Sequence, residues 1–253
     1  MSDARTTVPG VDALSLVGTT CTAVEVHGKH LMMRFTDDGS PTRVLHTHMR
    51  MTGSWHVYQR GVPWKRPERQ ARIVIECGER LAVCFNAPVI ELTVDTQDGA
   101  GPHESIRHLG PDLLVDPFDA VAVVTAIARR PAEAGVGELL LDQRLVAGIG
   151  NIYRCEAMFL CGWNPWTPRT SIDAGHWEEL LWCAARLMRA NVPLSSGVGR
   201  ELGGGTDRTW VYRRAGKPCR RCGATVRSRP QGTQARTAYW CPRCQPAPPA
   251  EGG

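Results

Sequence analysis

The sequence lacks the segments that mark membrane and secreted proteins. Its 253 residues contain no apolar run close to the roughly 18 residues that span a bilayer. The first five residues have no apolar stretch behind them, so no signal peptide is predicted. We therefore expect a cytoplasmic protein with no membrane partner. Its ten cysteines are expected to stay reduced, as metal ligands or core residues rather than disulfides.

Acidic residues are missing from one long stretch near the C-terminus. Residues 208–244 contain ten Lys or Arg residues and no Asp or Glu, although the net charge of the whole chain is only +5. Such a local excess of positive charge favours a polyanionic partner or a solvated basic tail. The same stretch holds four aromatic residues and four cysteines, which favours a folded basic module over a tail.

The remaining sequence predicts an α+β multidomain fold. Short apolar runs separated by turns predict a β-sandwich or barrel from about residue 14. Spaced apolar residues predict helices from about residue 112, and a glycine-rich linker at 196–205 precedes the basic module. The predicted strands are 22–26, 31–35, 43–46, 71–76 and 81–85, and the predicted helices are 118–129, 137–142, 151–160 and 172–189. The expected divisions are a sandwich at 1–110, a helical domain at 111–200, a zinc-binding module at 201–245 and a disordered tail at 246–253.

Four cysteines of the basic module have the spacing of metal ligands. Two residues separate Cys219 from Cys222 and Cys241 from Cys244, and eighteen residues lie between the pairs. A two-residue spacer lets two thiolates from one turn bind one ion, and four thiolates complete a closed tetrahedral site. Thiolates suit Zn²⁺, and Gly232 between two polar segments fits a hairpin held by one structural zinc ion. Unligated or disulfide-bonded cysteines are the alternative.

Arginines surround these cysteines, and guanidinium groups pair with phosphates bidentately. Each such contact releases counterions from a nucleic acid, so the module is predicted to bind nucleic acid. A purely structural or protein-binding zinc ribbon remains the alternative. The arginines are Arg220, Arg221, Arg227, Arg229, Arg236 and Arg243.

A glycine-containing turn before a predicted helix is the second signal. Gly148 and Gly150 precede Asn151, where a new helix is expected to begin. The N-terminus of a helix presents unpaired N–H groups and a positive dipole end, which suits a phosphate. A plain helix–turn–helix corner, with Asn151 as a satisfied cap, explains the same residues.

These segments together resemble the formamidopyrimidine-DNA glycosylase and endonuclease VIII family. Residues 141–153 resemble its helix–two-turn–helix motif, and residues 236–245 together with the first cysteine pair resemble its C-terminal zinc finger. Residues 27–31, 48–55 and 108–114 are similar to further family segments. The matches run in the family's order and cover about 14–245.

The resemblance implies a bifunctional DNA-repair enzyme that excises an oxidised base and then cuts the strand by β- and δ-elimination. Such enzymes flip the damaged nucleotide out of the stack. The amine of an N-terminal proline forms a Schiff base with the sugar C1′, and the adjacent glutamate moves protons. The implied partners are damaged DNA and abasic-site DNA, bound by a monomer that is expected to be nucleoid-associated if the protein is bacterial.

The chain departs from the family pattern at its start, which reads Met1-Ser2-Asp3 rather than Pro-Glu. It is also expected to lack the long helix and first strand before the region matching 8–14, which leaves the sandwich incomplete. We therefore do not assign the roles of the nucleophile and its acid to Ser2 or Asp3. A truncated or wrongly started enzyme is favoured, because losing the helix would expose apolar core. Two alternatives stay open: the protein is a paralogue that binds DNA without Schiff-base chemistry, or it is an RNA-associated zinc-ribbon protein.

Three residues match family positions at the phosphates around the lesion. Lys29 matches a lysine implicated in proton transfer and phosphate binding. Arg236, five positions before Cys241, matches the hairpin arginine that clamps the phosphates and is linked to δ-elimination. Asn151 is assigned to the same phosphate cluster from the opposite domain. Lys29 and Arg236 are thus the expected catalytic residues.

Met51 matches the position from which the family inserts an apolar side chain into the gap left by the flipped base. Arg50 and Thr52 would fill neighbouring wedge positions, although strand alternation could instead place Met51 in the core. His108 is a weaker candidate for DNA binding, and a structural histidine is the better interpretation of His48.

The segment at 86–91 lacks the Asp-x-Arg-Arg-Phe sequence of the formamidopyrimidine branch. This difference favours the endonuclease VIII branch, whose typical substrates are oxidised pyrimidines.

Overall fold

The chain is organised as two compact units, Met1–His108 and Leu109–Gly253. The computed structural model describes residues 1–95, 104–192 and 209–247. The predicted glycine-rich linker and the tail beyond residue 247 lie outside the described residues. The helices and the cysteine module, which the sequence analysis separates, belong to the same second unit.

Two antiparallel sheets form the first unit. The strands are β1 (Asp3–Thr6), β2 (Thr20–His27), β3 (His30–Thr36), β4 (Arg43–His48), β5 (Ser54–Gln59), β6 (Ala71–Cys77), β7 (Arg80–Phe85) and β8 (Val89–Val94). One sheet has the order β1-β6-β7-β5 and the other β2-β3-β4-β8. Both contribute buried side chains to one core, including Phe35, Leu45, Ile73 and Cys84. The predicted sandwich is confirmed.

Three of these strands were not predicted from the sequence. β1 pairs with β6 and buries only Ala4, so its apolar alternation is too short to be recognised. The expectation that no strand precedes residue 8 is therefore wrong, because backbone pairing along β6 holds the segment in place. β5 and β8 were also missed, since polar residues interrupt their apolar pattern.

Four α-helices form most of the second unit: α1 (Ala120–Ala128), α2 (Val136–Leu139), α3 (Asn151–Cys161) and α4 (Ala174–Asn191). Asp119 and Asp173 cap α1 and α4 by accepting hydrogen bonds from backbone N–H groups of the first turn. Gly162 ends α3 with a φ of 79°, a left-handed conformation that glycine adopts without steric cost. None of the described helices has the length and apolar character needed to cross a membrane.

A two-stranded hairpin lies beyond the helices in the sequence. It consists of β9 (Arg227–Gln231) and β10 (Arg236–Trp240), with Gly232 in the connecting turn as predicted. Contacts between α3 and β10 join the hairpin to the helices. Asn151, the first residue of α3, is one of the residues that contact the hairpin.

Candidate nucleic-acid interface

The four predicted cysteine ligands converge at one point of the second unit. Their Sγ atoms all lie within 4.8 Å of one another. Cys222 and Cys241 have their Sγ atoms 3.5 Å apart, and those of Cys219 and Cys244 are 3.9 Å apart. The Gly223 N–H donates to the Cys219 carbonyl at 2.8 Å, which closes the first turn. Four converging thiols on tight turns fit a closed tetrahedral metal site.

A buried carboxylate joins the segment before these cysteines to α3. Glu156 is fully buried and accepts hydrogen bonds from the backbone N–H groups of Trp210, Val211 and Tyr212, at 2.7, 3.1 and 2.8 Å. Burial raises the pKa of Glu156, and the three N–H donors oppose this rise. The Glu156 side chain thus holds the segment that leads into the cysteine module against α3.

A fully buried arginine joins α2, α3 and the hairpin. Arg154 Nη1 donates to the Gly137 carbonyl at 3.2 Å and to Gln231 Oε1 at 3.0 Å, and its Nη2 donates to the Arg236 carbonyl at 3.5 Å. Gln231 Nε2 donates to the Pro165 carbonyl at 2.6 Å. Burial lowers the pKa of Arg154. Neither side chain was recognised from the sequence, although an arginine among apolar helix positions was an available signal.

Asn151 contacts the hairpin directly. Its Nδ2 donates to the Thr237 carbonyl at 2.9 Å, one residue after Arg236. Gly150, not Asn151, is the N-cap of α3, so the satisfied-cap interpretation is wrong. Asn151 and Arg236 fall in separate divisions of the sequence, 111–200 and 201–245, but both belong to the second unit, where this hydrogen bond brings Asn151 next to the residue after Arg236.

The turn before α3 is held by one side chain. Gln143 Nε2 donates to the carbonyls of Leu141 and Ile149 at 3.1 and 3.0 Å, and its Oε1 accepts from the Gly148 N–H at 3.1 Å. Gly148 has a φ of 95°, and a Cβ there would lie 2.9 Å from Met188 Cε. The turn therefore requires this glycine.

Three arginines of the basic module differ in their surroundings. The guanidinium of Arg221 lies 4.4 Å from the ring centroid of Phe159, and that of Arg229 lies 3.9 Å from the ring centroid of Trp166. These two arginines pack on aromatic rings as cation–π pairs. Arg236 is instead exposed at the start of β10, next to the Asn151 contact.

Lys29 lies in the first unit, in a two-residue turn between β2 and β3. Gly28 has a φ of 54° and Lys29 a φ of 74°, the geometry of a type I′ hairpin turn. A lysine with positive φ is strained by roughly 1 kcal/mol or more, which is often tolerated at functional sites. The turn holds Lys29 at the surface, where the predicted phosphate contact requires it.

The predicted wedge residues form an exposed turn after β4. Met51 is 75% exposed, so the alternative that it belongs to the core is wrong. Arg50 has a φ of 43°, and the Thr52 hydroxyl donates to the Asn86 carbonyl at 3.0 Å. A Cβ on Gly53 would lie 2.9 Å from three backbone atoms, so only glycine fits the closure of this turn.

His48 is half-buried, and its Nδ1 accepts a hydrogen bond from the Arg50 N–H at 3.2 Å. Burial lowers its pKa, with smaller contributions from the charges of Arg50 and Lys29. This partner supports the structural interpretation of His48. His108 is exposed and close enough to His30 for its charge to lower the pKa of that residue.

Two histidines and a carboxylate beside these residues were not recognised from the sequence. His46 is 2% exposed and contacts both His30 and Glu91. The available signal was the His46-x-His48 spacing, because alternate residues of a strand share one face. Its partner Glu91 lies 45 residues from His46 in the sequence, and no local pattern indicates that the two residues pair.

Comparisons with known proteins agree with these features. The formamidopyrimidine-DNA glycosylase N-terminal domain matches residues 3–88, and the H2TH domain of the same enzyme matches residues 109–200. A probable endonuclease 8 2 of Streptomyces coelicolor is 38% identical over 97% of this chain and 87% of its own length. The DNA-(apurinic or apyrimidinic site) lyase Nei2 of Mycolicibacterium smegmatis is 31% identical over 95% of this chain and 88% of its own length.

Solved structures show the same fold. Lactococcus lactis formamidopyrimidine DNA glycosylase, bound to DNA containing an abasic site, superposes with a TM-score of 0.77 and 22% identity. The match covers 96% of this chain and 91% of that one. Together with the two domain matches and the curated relatives, it confirms the resemblance of the motifs. The chain belongs to the formamidopyrimidine-DNA glycosylase and endonuclease 8 family.

Proposed function

We propose that this protein acts in DNA base-excision repair, as a DNA glycosylase and abasic-site lyase that binds damaged DNA. One observation carries the proposal: the Asn151 amide is tied to the hairpin at Thr237, beside the exposed Arg236. The start of an 11-residue helix and an exposed guanidinium are thereby held in one place. Both groups favour a phosphate.

The second unit supplies the phosphate contacts in this proposal. Backbone N–H groups at the start of α3 and the Arg236 guanidinium would bind phosphates that flank the damaged nucleotide. Asn151 fixes their spacing through Thr237, and Arg154 holds the hairpin against α2 and α3 from inside. The guanidinium can donate two parallel hydrogen bonds to one phosphate, so it positions the strand as well as attracting it.

The first unit supplies a further lysine and an apolar wedge. Lys29 would bind a phosphate from its hairpin turn, and exposed Met51 would fill the gap left by a flipped nucleotide. Arg50 and Thr52 flank Met51 on the same turn and would contact the neighbouring nucleotides. Exposed His108 remains a weaker candidate for DNA contact.

A structural zinc ion would be held by Cys219, Cys222, Cys241 and Cys244. A tetrahedral site with Zn–S bonds of about 2.3 Å places its sulfurs about 3.8 Å apart. The observed Sγ–Sγ distances of 3.5 and 3.9 Å fit this spacing. The ion would stabilise the turns that carry β9 and β10, and the proposed reaction uses the hairpin residues rather than the ion.

The chemical step by family resemblance is attack of an N-terminal proline amine on the sugar C1′. The roles of that amine and its neighbouring glutamate are assigned to no residue described here. A second candidate is a protein that binds damaged DNA without forming a Schiff base, because the contacts of Asn151 and Arg154 with the hairpin account for phosphate binding and not for the chemical step.

Borohydride trapping on a duplex with one abasic site separates the two candidates. The enzyme predicts a covalent protein–DNA adduct, whereas the binding protein predicts salt-sensitive binding without one. A matched undamaged duplex and a structured RNA serve as competitors. Equal affinity for all three nucleic acids would defeat both candidates. Release of oxidised pyrimidines, measured against oxidised purines, tests the proposed substrate class.

A further inference from the structure

Four histidines and a glutamate share one face of the sheet formed by β2, β3, β4 and β8. His27 pairs with His30, His30 pairs with His48, and His46 pairs with Glu91 across the strands. Cross-strand partners lie on the same face, and so do alternate residues of one strand. This face is opposite the one that carries the buried Leu45 of the sandwich core.

Three of these side chains form a hydrogen-bonded chain. His46 Nδ1 lies 2.9 Å from Glu91 Oε2, and His46 Nε2 lies 2.8 Å from His30 Nδ1. The planes of the two imidazole rings make an angle of 14°, and the ring centroids are 5.0 Å apart. The nitrogens are far closer than the centroids, so the rings meet edge to edge. The Ser105 hydroxyl donates to the same Glu91 oxygen at 3.1 Å.

The partners determine where the protons lie. A carboxylate only accepts, so His46 Nδ1 carries a proton and donates it to Glu91. In the neutral form His46 Nε2 then accepts from His30 Nδ1–H. His30 Nε2 is left as an unprotonated acceptor at the outer end of the chain. His30 is half-buried, whereas His46 is almost completely buried.

Positive groups surround this outer end. Burial is the largest of the effects that lower the pKa of His30 to about 4, followed by the charges of His48, His46, His108 and His27 in that order. Lys29 and Arg50 lie close enough to His48 to act on its pKa. A proton on His30 itself is therefore unfavourable in the free protein. His46 Nδ1, by contrast, lies 2.9 Å from a carboxylate oxygen of Glu91, and a carboxylate at this distance stabilises a positive charge on its partner.

We propose that DNA binding by this protein is coupled to the uptake of one proton by the chain His30–His46–Glu91. The proton binds His30 Nε2, and the proton on His30 Nδ1 moves to His46 Nε2. His30 ends neutral with its proton on Nε2, and His46 becomes an imidazolium that donates to Glu91. The coupling rests on the proposed function, because DNA phosphates at Lys29 supply the negative charge that favours uptake.

Calorimetry with abasic-site duplex in buffers of different ionisation enthalpy measures the uptake directly. We expect uptake of a proton near pH 7, and an affinity that rises as the pH falls, by up to about tenfold per pH unit for one proton. Glu91→Gln keeps a hydrogen-bonding side chain but removes the charge. It is expected to abolish most of the uptake and move the affinity profile by about one unit to lower pH.

Asp173→Asn is the matched control. It removes the carboxylate of another His–carboxylate pair, in which His176 Nδ1 lies 2.7 Å from Asp173 Oδ2, in the second unit. Asparagine also caps helices, so uptake is expected to be unchanged. Equal uptake by wild type and Glu91→Gln would place the proton on other histidines and overturn the coupling. Absence of any DNA binding would instead defeat the proposed function, and the coupling with it.

Nitrogen-15 spectra of the histidine rings in the free wild-type protein test the chain without any variant. We expect both His30 and His46 to carry their proton on Nδ1 at pH 8. A His30 proton on Nε2 under these conditions would contradict the proposed direction of the hydrogen bonds.

Discussion

Arg236 and Arg229 are both exposed arginines of one hairpin, but only Arg229 packs on a ring, that of Trp166. We therefore expect Arg236→Ala to weaken DNA binding for all sequences and to reduce the slope of log affinity against log salt by about 1. Arg229→Ala, the matched control, should leave that slope unchanged and lower the melting temperature. Anisotropy titrations at several salt concentrations give the slope. An unchanged slope for Arg236→Ala would contradict its phosphate role.

His30 predicts a pH dependence of stability. Its pKa falls from the usual 6.5 to about 4 on folding. Between these values the unfolded chain binds more protons, so the free energy of unfolding falls as the pH drops from 6.5 towards 4. Because His30 is half-exposed, we expect the loss to be about 1 kcal/mol after solvent screening.

Urea unfolding of wild type and His30→Gln at pH 7 and pH 5 measures this loss. The variant should lose less stability between the two pH values. A variant that is as sensitive to pH as wild type would show that other groups are responsible.

Local patterns and long-range contacts differ in what the sequence reveals of the site. The four cysteine ligands, Cys219 and its three partners, can be predicted from the sequence because each pair of cysteines closes one short turn. The bond from Asn151 to Thr237 joins residues 86 positions apart, and the sequence indicates no pairing between them. The chain from His46 to Glu91 depends on the register of β4 and β8, and β8 was itself not predicted.

At the scale of elements, α2, α3 and the hairpin are joined at Gly137. A Cβ at this position would lie 2.4 Å from Gln231 Oε1, the acceptor of Arg154. Gly137→Ala should therefore displace Gln231, leave a buried guanidinium with one acceptor fewer, and cost about 1–3 kcal/mol. We expect the DNA affinity to fall together with the stability, because the hairpin carries Arg236.

Gly175→Ala is the control for this variant. Its Cβ would meet only Asp173 Oδ1, at 3.5 Å, and alanine is the better helix former within α4. Thermal melting should show a small gain or no change for Gly175→Ala and a clear loss for Gly137→Ala. Equal melting temperatures for the two variants would contradict the role of Gly137 in joining the elements.

The elements themselves differ in how well they could be predicted. α3 and α4 follow the apolar period closely, and their predicted bounds lie within two residues of the observed ones. β1 has no such pattern, since only Ala4 is buried and the strand is held by backbone pairing to β6. Edge strands of this kind depend on a partner far away in the sequence, and composition does not identify that partner.

At the scale of the whole molecule, each unit has its own apolar core. The sandwich core includes Phe35 and Leu45, and the helical core includes Leu140 and Leu180. The cysteine cluster belongs only to the second unit, and it adjoins a small apolar cluster with Phe159 of α3. Metal loss should therefore act on one unit and leave the core of the other intact.

We accordingly expect a strong zinc chelator to lower the melting temperature of the second unit and abolish DNA binding, while the sandwich keeps its transition. Binding of a closed-site zinc ion contributes directly to folding, on the order of 10 kcal/mol in small zinc modules. Cys222→Ser should reproduce the effect without chelator, whereas Cys77→Ser, at an exposed cysteine of the first unit, should not. Calorimetric scans with and without chelator resolve the transitions. One transition that is insensitive to chelator would contradict a zinc-dependent second unit, because the turns that carry the hairpin would then be stable without an ion.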